Sequence, residues 1–209
     1  INIFRLEAFK NGWIEIQDAS SQLVAPFLDL KPGMRVIDAC AGAGGKTLHI
    51  ASLMKNKGKI IAMDTEEWKL KELRKRSTRN GIDIIETKII DSQKTIKRLK
   101  NSADRLLLDV PCSGLGVLRR NPDAKWKLSL EFIEDVKKKQ QEIIFNYSEM
   151  LKPGGKMVYA TCSILPSENQ EQVKTFLKEN SNFKLLEEKI ILPSISGFDG
   201  FYMALLEKK

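Results

Sequence analysis

Three cysteines follow apolar runs of the sequence, at Cys40, Cys112 and Cys162. Cys112 and Cys162 each precede a serine, and Asp109 stands shortly before Cys112. A thiolate in a polar, partly exposed setting can act as a nucleophile and bond covalently to a substrate. These residue types therefore indicate covalent catalysis. The alternative is that each cysteine is simply a small buried apolar residue.

The stretch Asp104–Gly114 puts an acid and a thiol at the end of one strand. Residues 106–108 are leucines, an apolar run typical of a strand buried on both faces of a parallel sheet. Pro111 cannot donate to a neighbouring strand, so we expect the strand to end there. Asp109 and Cys112 then lie at the carboxyl end, where open α/β sheets form their ligand crevice.

The other two thiols end similar runs. In the usual strand order of such sheets, the first, fourth and fifth strands are neighbours, so Cys40, Cys112 and Cys162 would line one crevice. A zinc site is the alternative use of these thiols. The only histidine, His49, and the cysteines lack the paired ligand spacings of structural zinc sites. The sequence therefore predicts no metal.

The glycine turn AGAGGKT, residues 41–47, lies between a strand pattern and a helical pattern. Cys40 stands where a P-loop needs glycine, and Thr47 stands where the dinucleotide fingerprint needs its third glycine. Asp64 follows about twenty residues later, where an acid commonly binds a ribose diol. A nucleoside cofactor without phosphates, such as S-adenosylmethionine, fits these residues. The alternative is that the glycines only form a tight turn.

Strand and helix patterns alternate along most of the chain. Strands are predicted at residues 13–17, 34–40, 59–63, 84–90, before Pro111, at 156–162, 183–192 and 201–206. Helices are predicted from Asp18, Ser20 or Ser21 to Leu30, then after the glycine turn to Leu53, at 66–80, up to Lys100, at 129–152, and from Pro166. This alternation after the first strand predicts a doubly wound α/β sheet.

The composition limits the possible functions. A chain of 209 residues suffices for one α/β domain, and its net charge of +8 makes a polyanionic partner plausible. Three cysteines without CxxC spacing and the lack of a signal peptide indicate a reducing cytoplasm. No apolar run reaches the roughly 20 residues that a membrane span needs. Because the chain starts at Ile1, we expect a fragment of a longer protein.

Longer motifs connect these features to a known family. DVPCSGLG is followed by RRNPD and KW, and YATCS is followed by PSENQ. With GFDGFYMALLEK near the C-terminus, these motifs resemble the RsmB/Sun family of RNA cytosine-5 methyltransferases, from about Gly12 onward. CAGAGGK resembles the family's cofactor loop, which usually reads CAAPGGK, so Gly42 and Ala43 depart from the pattern.

The resemblance implies a class I methyltransferase fold. This is a Rossmann-like, doubly wound α/β fold, whose mostly parallel seven-stranded sheet has an antiparallel C-terminal strand. Residues 1–209 would be the catalytic domain, without an upstream RNA-binding domain.

The resemblance also implies the roles of site residues. Cys162 would be the nucleophile and Cys112 the second catalytic cysteine. S-adenosylmethionine would be held by Cys40, Ala41, Gly42, Ala43, Gly44, Gly45, Lys46, Asp64, Asp91 and Asp109. In the family, the acid at the position of Asp109 also lies close to the cytosine ring. Asp109 could therefore bind the cofactor, the base or both.

The implied substrate is RNA, with ribosomal RNA favoured over transfer RNA. Residues predicted to contact phosphates are Arg119, Arg120, Lys125 and Lys127 and, on one helix, Lys69, Lys71, Arg74, Lys75 and Arg76. For the residues on that helix, an ordinary solvated surface is as good an interpretation as phosphate binding.

Two other functions compete with RNA methylation. A noncatalytic RNA-binding module is disfavoured because both thiols and every cofactor acid are present. A methyltransferase acting on DNA or a small molecule is disfavoured by the basic loop and by thiols on two strands. We expect a cytoplasmic monomer that uses neither metal nor membrane.

Overall fold

The computed structural model describes residues 2–209, apart from the side chain of Lys127. Seven strands form one sheet. They are β1 (Arg35–Asp38), β2 (Lys59–Asp64), β3 (Ile85–Ile89), β4 (Ala103–Asp109), β5 (Leu151–Thr161), β6 (Phe183–Ile191) and β7 (Phe201–Lys208).

Helices connect these strands. They are α1 (Glu7–Lys10), α2 (Val24–Phe27), α3 (Gly45–Leu53), α4 (Glu67–Arg79), α5 (Gln93–Lys97), α6 (Ala124–Lys127), α7 (Leu130–Tyr147), α8 (Gln170–Glu179) and α9 (Pro193–Ser196). Single 3-10 turns occur at Ile3–Arg5, Ser21–Leu23, Ser148–Met150 and Pro166–Glu168. None of the helices within residues 2–209 is both long and apolar enough to cross a membrane.

The strand order is β3-β2-β1-β4-β5-β7-β6. β7 is antiparallel to β5 and β6, and the other neighbouring strands are parallel. The predicted doubly wound sheet with an antiparallel C-terminal strand is therefore confirmed. Because β1, β4 and β5 are adjacent, the loops that follow them meet at one edge of the sheet.

Both faces of the sheet are covered. Leu106 and Leu108 of β4 belong to one apolar cluster, and Leu107 between them belongs to the cluster on the other face. The three side chains are fully buried. Alternating side chains point to opposite faces, so an unbroken apolar run requires helices on both sides. The leucine run therefore predicted the environment of β4 correctly.

The predicted strand at residues 13–17 is wrong. This segment is not part of the sheet, and Trp13 in it is 76% exposed. Its Glu15 instead binds α4, where it accepts hydrogen bonds from Arg76, Arg79 and Asn80. These polar contacts attach the segment to the end of α4 instead of to the sheet.

Two predicted helix boundaries also need correction. The helix expected to run to Leu30 is a 3-10 turn followed by α2, which ends at Phe27, although Asp18 does accept from the Ser21 N–H at 3.0 Å. The long helix ends at Tyr147, and β5 begins at Leu151.

Residues 153–155, expected to precede β5, thus lie inside that strand. Leu151 pairs with Ala103, and pairing resumes only between Lys156 and Arg105. The strand irregularity between these pairs accommodates the proline, which a regular ladder would exclude.

Candidate active site

The glycine turn joins β1 to α3 and faces the end of β2. The backbone N–H of Gly42 donates to Asp64 Oδ2 at 2.9 Å, and Asp64 Oδ1 accepts from the Glu66 N–H at 3.0 Å. Gly42 has φ of 54°, and a Cβ there would meet no heavy atom within 4 Å. Glycine is suited to this left-handed conformation. The turn therefore leaves open space beside an acid that it helps to orient.

Gly44 has a packing role in the same turn. It has φ of 92°, and a Cβ there would lie 2.6 Å from Cγ of Leu73 on α4. Glycine therefore lets α3 and α4 approach each other closely. Arg76 adds a hydrogen bond to the carbonyl of Ala43 at 2.7 Å. These contacts fix the turn from the side opposite the cleft described next.

A cleft of about 470 Å³ opens beyond the carboxyl ends of β1 to β4. The aspartates in its lining are Asp64 at the end of β2, Asp91 after β3 and Asp109 at the end of β4, and Glu66 and Glu142 line it as well. Apolar walls face these acids. The apolar and aromatic residues that line the cleft include Ile90, Ile96, Val110, Ile143 and Tyr147.

The cleft suits a nucleoside cofactor. Each Asp64 oxygen accepts one backbone N–H and retains a lone pair for a further donor. Asp91 is exposed, and hydrogen bonds from Thr95 and Ser92 hold its carboxyl pKa below the ordinary value, so it stays ionised. The carboxyl groups, an apolar wall and the space above Gly42 match a ribose and a flat ring.

The predicted cofactor residues divide into two groups. Cys40, Gly42, Asp64, Asp91 and Asp109 line the cleft. The cleft lining does not include the other five, which are Ala41, Ala43, Gly44, Gly45 and Lys46.

Lys46 points instead to Asp109. Its Nζ lies 2.6 Å from Asp109 Oδ2, and both side chains are largely buried. Burial disfavours the ammonium, but the Asp109 carboxylate outweighs this effect and raises the pKa of Lys46. The ion pair therefore fixes the Lys46 ammonium against Asp109, the partner that lines the cleft.

Asp38 lies beneath this ion pair. Thr47 donates to its Oδ2 at 2.7 Å, and Oδ1 has no partner among the described residues. Burial, reinforced by the charge of Asp109, raises the pKa of Asp38 to about 7. Two acids and one ammonium thus share a small buried volume.

Cys112 and Cys162 meet at the ends of β4 and β5. Their Sγ atoms are 3.3 Å apart, within hydrogen-bonding distance. The hydrogen bond from Cys112 lowers the pKa of Cys162 against burial and the charge of Asp109, and the charge of Lys46 adds a smaller lowering effect. The same hydrogen bond, together with burial, raises the pKa of Cys112. The contact itself is symmetric, and the opposite pKa shifts favour a thiolate at position 162 and a thiol at position 112.

Cys40 is apart from this pair. It lines the cleft, which includes neither Cys112 nor Cys162, and burial raises the pKa of its thiol. The expectation of one crevice lined by three thiols is therefore wrong. Cys40 packs against the core because its loop turns toward β2 at Asp64.

A buried polar network supports the thiol pair. Glu168, which is fully buried, accepts from the N–H and hydroxyl of Ser113 at 2.8 and 2.6 Å. The Ser113 hydroxyl also lies 3.1 Å from that of Ser163. Gln140 donates both to Glu168 and to the carbonyl of Pro111. Each serine follows one of the two cysteines, so the network joins their loops.

The backbone of Gly116 also holds the Cys162 loop. Its N–H donates to the carbonyl of Cys162 at 2.9 Å, and its own carbonyl accepts from Gly200 at 2.7 Å. A Cβ at Gly116 would lie 2.1 Å from the carbonyl oxygen of Gly200. Glycine is required here because two loops approach by their main chains.

Much of the predicted phosphate-binding charge is engaged within the chain. Arg119 donates to the carbonyl of Gly197 at 2.6 Å, and Arg120 pairs with the buried Asp199. Lys125 lies 4.8 Å from the ring centre of Trp126. The side chain of Lys127 is outside the described residues.

The basic helix α4 shows the same behaviour. Its ion pairs are Lys69 with Glu66, Arg74 with Glu67, Lys75 with Glu72, and Arg76 and Arg79 with Glu15. Lys71 is exposed. These contacts favour the alternative of an ordinary solvated helix face.

No group of three or more metal-ligating residues occurs within residues 2–209. His49 does not approach the thiol pair; it lines a separate pocket beside Trp13 and Gly45.

Sequence reasoning missed several residues of this site. Glu168 stood in the PSENQ motif but looked like an ordinary acid in the first turn of a helix. Gln140 and Asp38 carry no local signal. Lys46 was expected at the cofactor, and its partner Asp109 is distant in sequence.

Comparison with known proteins agrees with this geometry. A family model described as 16S rRNA methyltransferase RsmB/F matches residues 25–207. The probable ribosomal RNA small subunit methyltransferase B of Bacillus subtilis is 38% identical, over 96% of this chain and 49% of that protein. The chain therefore spans about half the length of the curated relatives it matches.

Several solved structures are similar over the whole chain. The crystal structure of PH0851 has 36% identity and a TM-score of 0.95, and 50% of it is covered. The structure of NSun6 from Pyrococcus horikoshii with SFG has 31% identity and a TM-score of 0.91, and 56% of it is covered. The fold is that of class I methyltransferases, as predicted, and the family depends on S-adenosylmethionine. By its sequence and its fold, the chain belongs to the RsmB/F family of 16S rRNA methyltransferases.

Proposed function

We propose that this protein methylates carbon 5 of a cytosine in ribosomal RNA, through a covalent bond between Cys162 and the base. One observation carries the proposal: a pair of thiols 3.3 Å apart, beside the Lys46–Asp109 ion pair and next to a cleft lined by acids. Relatives named as small-subunit rRNA methyltransferases support ribosomal RNA as the substrate. Such a substrate implies action in the cytoplasm.

The cofactor is proposed to lie in the cleft. Asp64 and Asp91 would bind its ribose and Gly42 would face it, while Tyr147 and the isoleucines would cover its ring. SFG, an S-adenosylmethionine analogue, is named with the similar NSun6 structure, which supports this assignment. When bound, S-adenosylmethionine supplies an electrophilic methyl group. The residues of this chain must then make carbon 5 of the cytosine nucleophilic.

Cys162 provides that activation. Its thiolate adds to carbon 6, forming the Sγ–C6 bond, and the C5–C6 π electrons move into the ring. Negative charge then grows at nitrogen 3 and the exocyclic amine. The Lys46 ammonium, held against Asp109 where both side chains are largely buried, stabilises this charge. Asp109 lines the cleft and also contacts Lys46, so it can orient the base, the cofactor or both.

Release reverses the addition. Once carbon 5 carries the methyl group, a water beside Cys112 takes its proton, and the Cys112 thiol orients that water. The electrons of the C5–H bond restore the C5–C6 double bond, and Sγ of Cys162 leaves as a thiolate. A target base in a helix must first leave its stack to reach these sulfurs.

The test compares ribosomal RNA from cells with and without the full-length protein by bisulfite sequencing. We expect one cytosine of 16S rRNA to resist conversion only when the protein is present. Identical conversion of 16S rRNA in both cell types would contradict the proposal. A difference confined to transfer RNA would contradict ribosomal RNA as the substrate and would identify transfer RNA instead.

A further inference from the structure

Glu168 is a buried acid without a cationic partner. Its side chain is fully buried in the 3-10 turn Pro166–Glu168, and its three donors are the N–H and hydroxyl of Ser113 and the amide of Gln140. Among the described residues, no lysine or arginine forms an ion pair with it. In all three contacts the Glu168 oxygens are the acceptors, which is the only role a carboxylate can take.

The hydrogen bonds run in one direction from the Cys162 loop to Glu168. The Ser113 hydroxyl donates to Glu168 Oε2, so its 3.1 Å contact with Ser163 requires the Ser163 hydroxyl to be the donor. Ser163 in turn accepts from the N–H of Leu165 at 3.2 Å. One carboxylate thus orders the residues that follow both cysteines.

The turn that bears Glu168 is itself held by the sheet. Tyr159 on β5 donates to the backbone carbonyl of Glu168 at 2.7 Å. Asn169, the next residue, donates to the carbonyl of Ser163 at 3.0 Å and accepts from Thr161 at 2.5 Å. These contacts fix the carboxylate relative to the strand that ends at Cys162.

The charges around the two thiols differ in whether they are paired. Cys162 faces the Lys46–Asp109 ion pair, in which the carboxylate opposes its thiolate more than the ammonium favours it. Glu168 faces Cys112, where its negative charge disfavours a second negative charge. Tyr159 of β5 is the other titratable group near Cys112 and Glu168, and its pKa is raised well above the ordinary value by burial, so it stays neutral. Cys162 therefore faces a paired charge, whereas Cys112 precedes the serine that binds an unpaired carboxylate, so a shared proton is better placed on Cys112.

We propose that Glu168 is a positioning residue that latches the Cys112 loop to the Cys162 loop and keeps the shared proton on Cys112, leaving the charge on Cys162. This inference rests on the proposed function, in which Cys162 attacks the base. A glutamine could accept and donate similar hydrogen bonds without the cost of burying a charge. The carboxylate therefore has a role that depends on its charge, and that role is the distribution of the proton.

The test measures thiol reactivity, which does not require methyl transfer. The full-length protein is treated briefly with iodoacetamide between pH 6 and pH 10, and peptide mass spectrometry quantifies Cys112 and Cys162 separately. In the native protein, we expect Cys162 to react at lower pH than Cys112. In Glu168→Gln, the Cys112 profile should move about one pH unit lower, a roughly tenfold faster reaction on its rising limb. The preference for Cys162 should fall accordingly.

Glu171→Gln is the matched control, because it removes the same charge from an exposed residue three positions away. Its profiles should equal those of the native protein. If folded Glu168→Gln also gives native profiles for both thiols, Glu168 only packs and the proposal is overturned.

Ser113→Ala tests the latch separately and decides the matter if Glu168→Gln does not fold. It keeps the carboxylate but removes the hydroxyl that joins Glu168 to Ser163. The Cys162 profile should move to higher pH because the two sulfurs lose their fixed separation. An unchanged Cys162 profile would overturn the latch. Failure of the covalent mechanism appears in a different measurement, the activity of Cys162→Ala.

Discussion

The Sγ atoms of Cys112 and Cys162 lie 3.3 Å apart, although 50 positions separate the two residues in the chain. The contact arises because β4 and β5 are parallel neighbours, with Asp109 paired to Ala160 in the register. Sulfurs this close cannot both ionise readily, because like charges repel. The pair is therefore asymmetric, and the two thiols are expected to behave differently.

Replacing Cys162 by alanine should abolish methyl transfer, by roughly a thousandfold or more, because the nucleophile is lost. Cofactor affinity should be unchanged, since Cys162 does not line the cleft. Transfer of a labelled methyl group to RNA and calorimetry with S-adenosylmethionine measure the two effects. Full activity of Cys162→Ala would remove the nucleophile assignment.

Cys112→Ala should accumulate a covalent protein–RNA adduct, because the product cannot be released efficiently. The adduct should survive a denaturing gel, and the double variant that also lacks Cys162 should form none. Normal turnover without an adduct would mean that Cys112 has only a structural role.

Asp64→Ala should weaken cofactor binding by roughly 2–3 kcal/mol, the value of charge-assisted hydrogen bonds. The substitution also removes the acceptor of the hydrogen bond from the Gly42 N–H. The glycine turn then loses one of the contacts that hold it in place. Titration calorimetry measures the affinity. Asp83→Ala is a suitable control because Asp83 is exposed and outside the cleft. Equal affinities of the two variants would contradict the assignment.

The pH dependence of Cys162 should depend on Lys46. The pKa of Cys162 is lowered, so its thiolate persists to lower pH than that of an ordinary cysteine. Lys46→Met removes a cation and leaves Asp109 unpaired. Both changes raise the pKa of Cys162, and alkylation should require a pH higher by about one unit. Lys71→Met, on the exposed face of α4, should leave the profile in place. A shift in both variants would indicate a general charge effect.

Gly116→Ala should destabilise the protein by about 1–3 kcal/mol, because its Cβ would overlap the carbonyl of Gly200 and force two main chains apart. Thermal unfolding provides the measurement. Gly45→Ala is the matched glycine substitution, since a Cβ there meets nothing within 4 Å. Its melting temperature should stay near the native value or rise slightly, as alanine favours a helix start. Equal melting temperatures for Gly116→Ala and the native protein would show that the loops can separate freely.

The order of the strands and helices could be predicted from local patterns. The leucines at 106–108 predicted a strand covered on both faces, and Pro111 predicted where this strand ends. The segment 13–17 shows the limit of this reasoning. Its alternation matched a strand, but the polar contacts of Glu15 with α4 decided its conformation.

The sequence by itself determined the doubly wound sheet, the thiols at the ends of two strands, and the acids Asp64, Asp91 and Asp109 of the cleft. These features depend on local periodicity and on strand ends, which nearby residues encode. Only the tertiary structure decided which groups meet: Lys46 with Asp109, and Glu168 with Ser113. Such contacts join residues more than fifty positions apart. They depend on strand order and loop paths, which are set by packing of the whole chain.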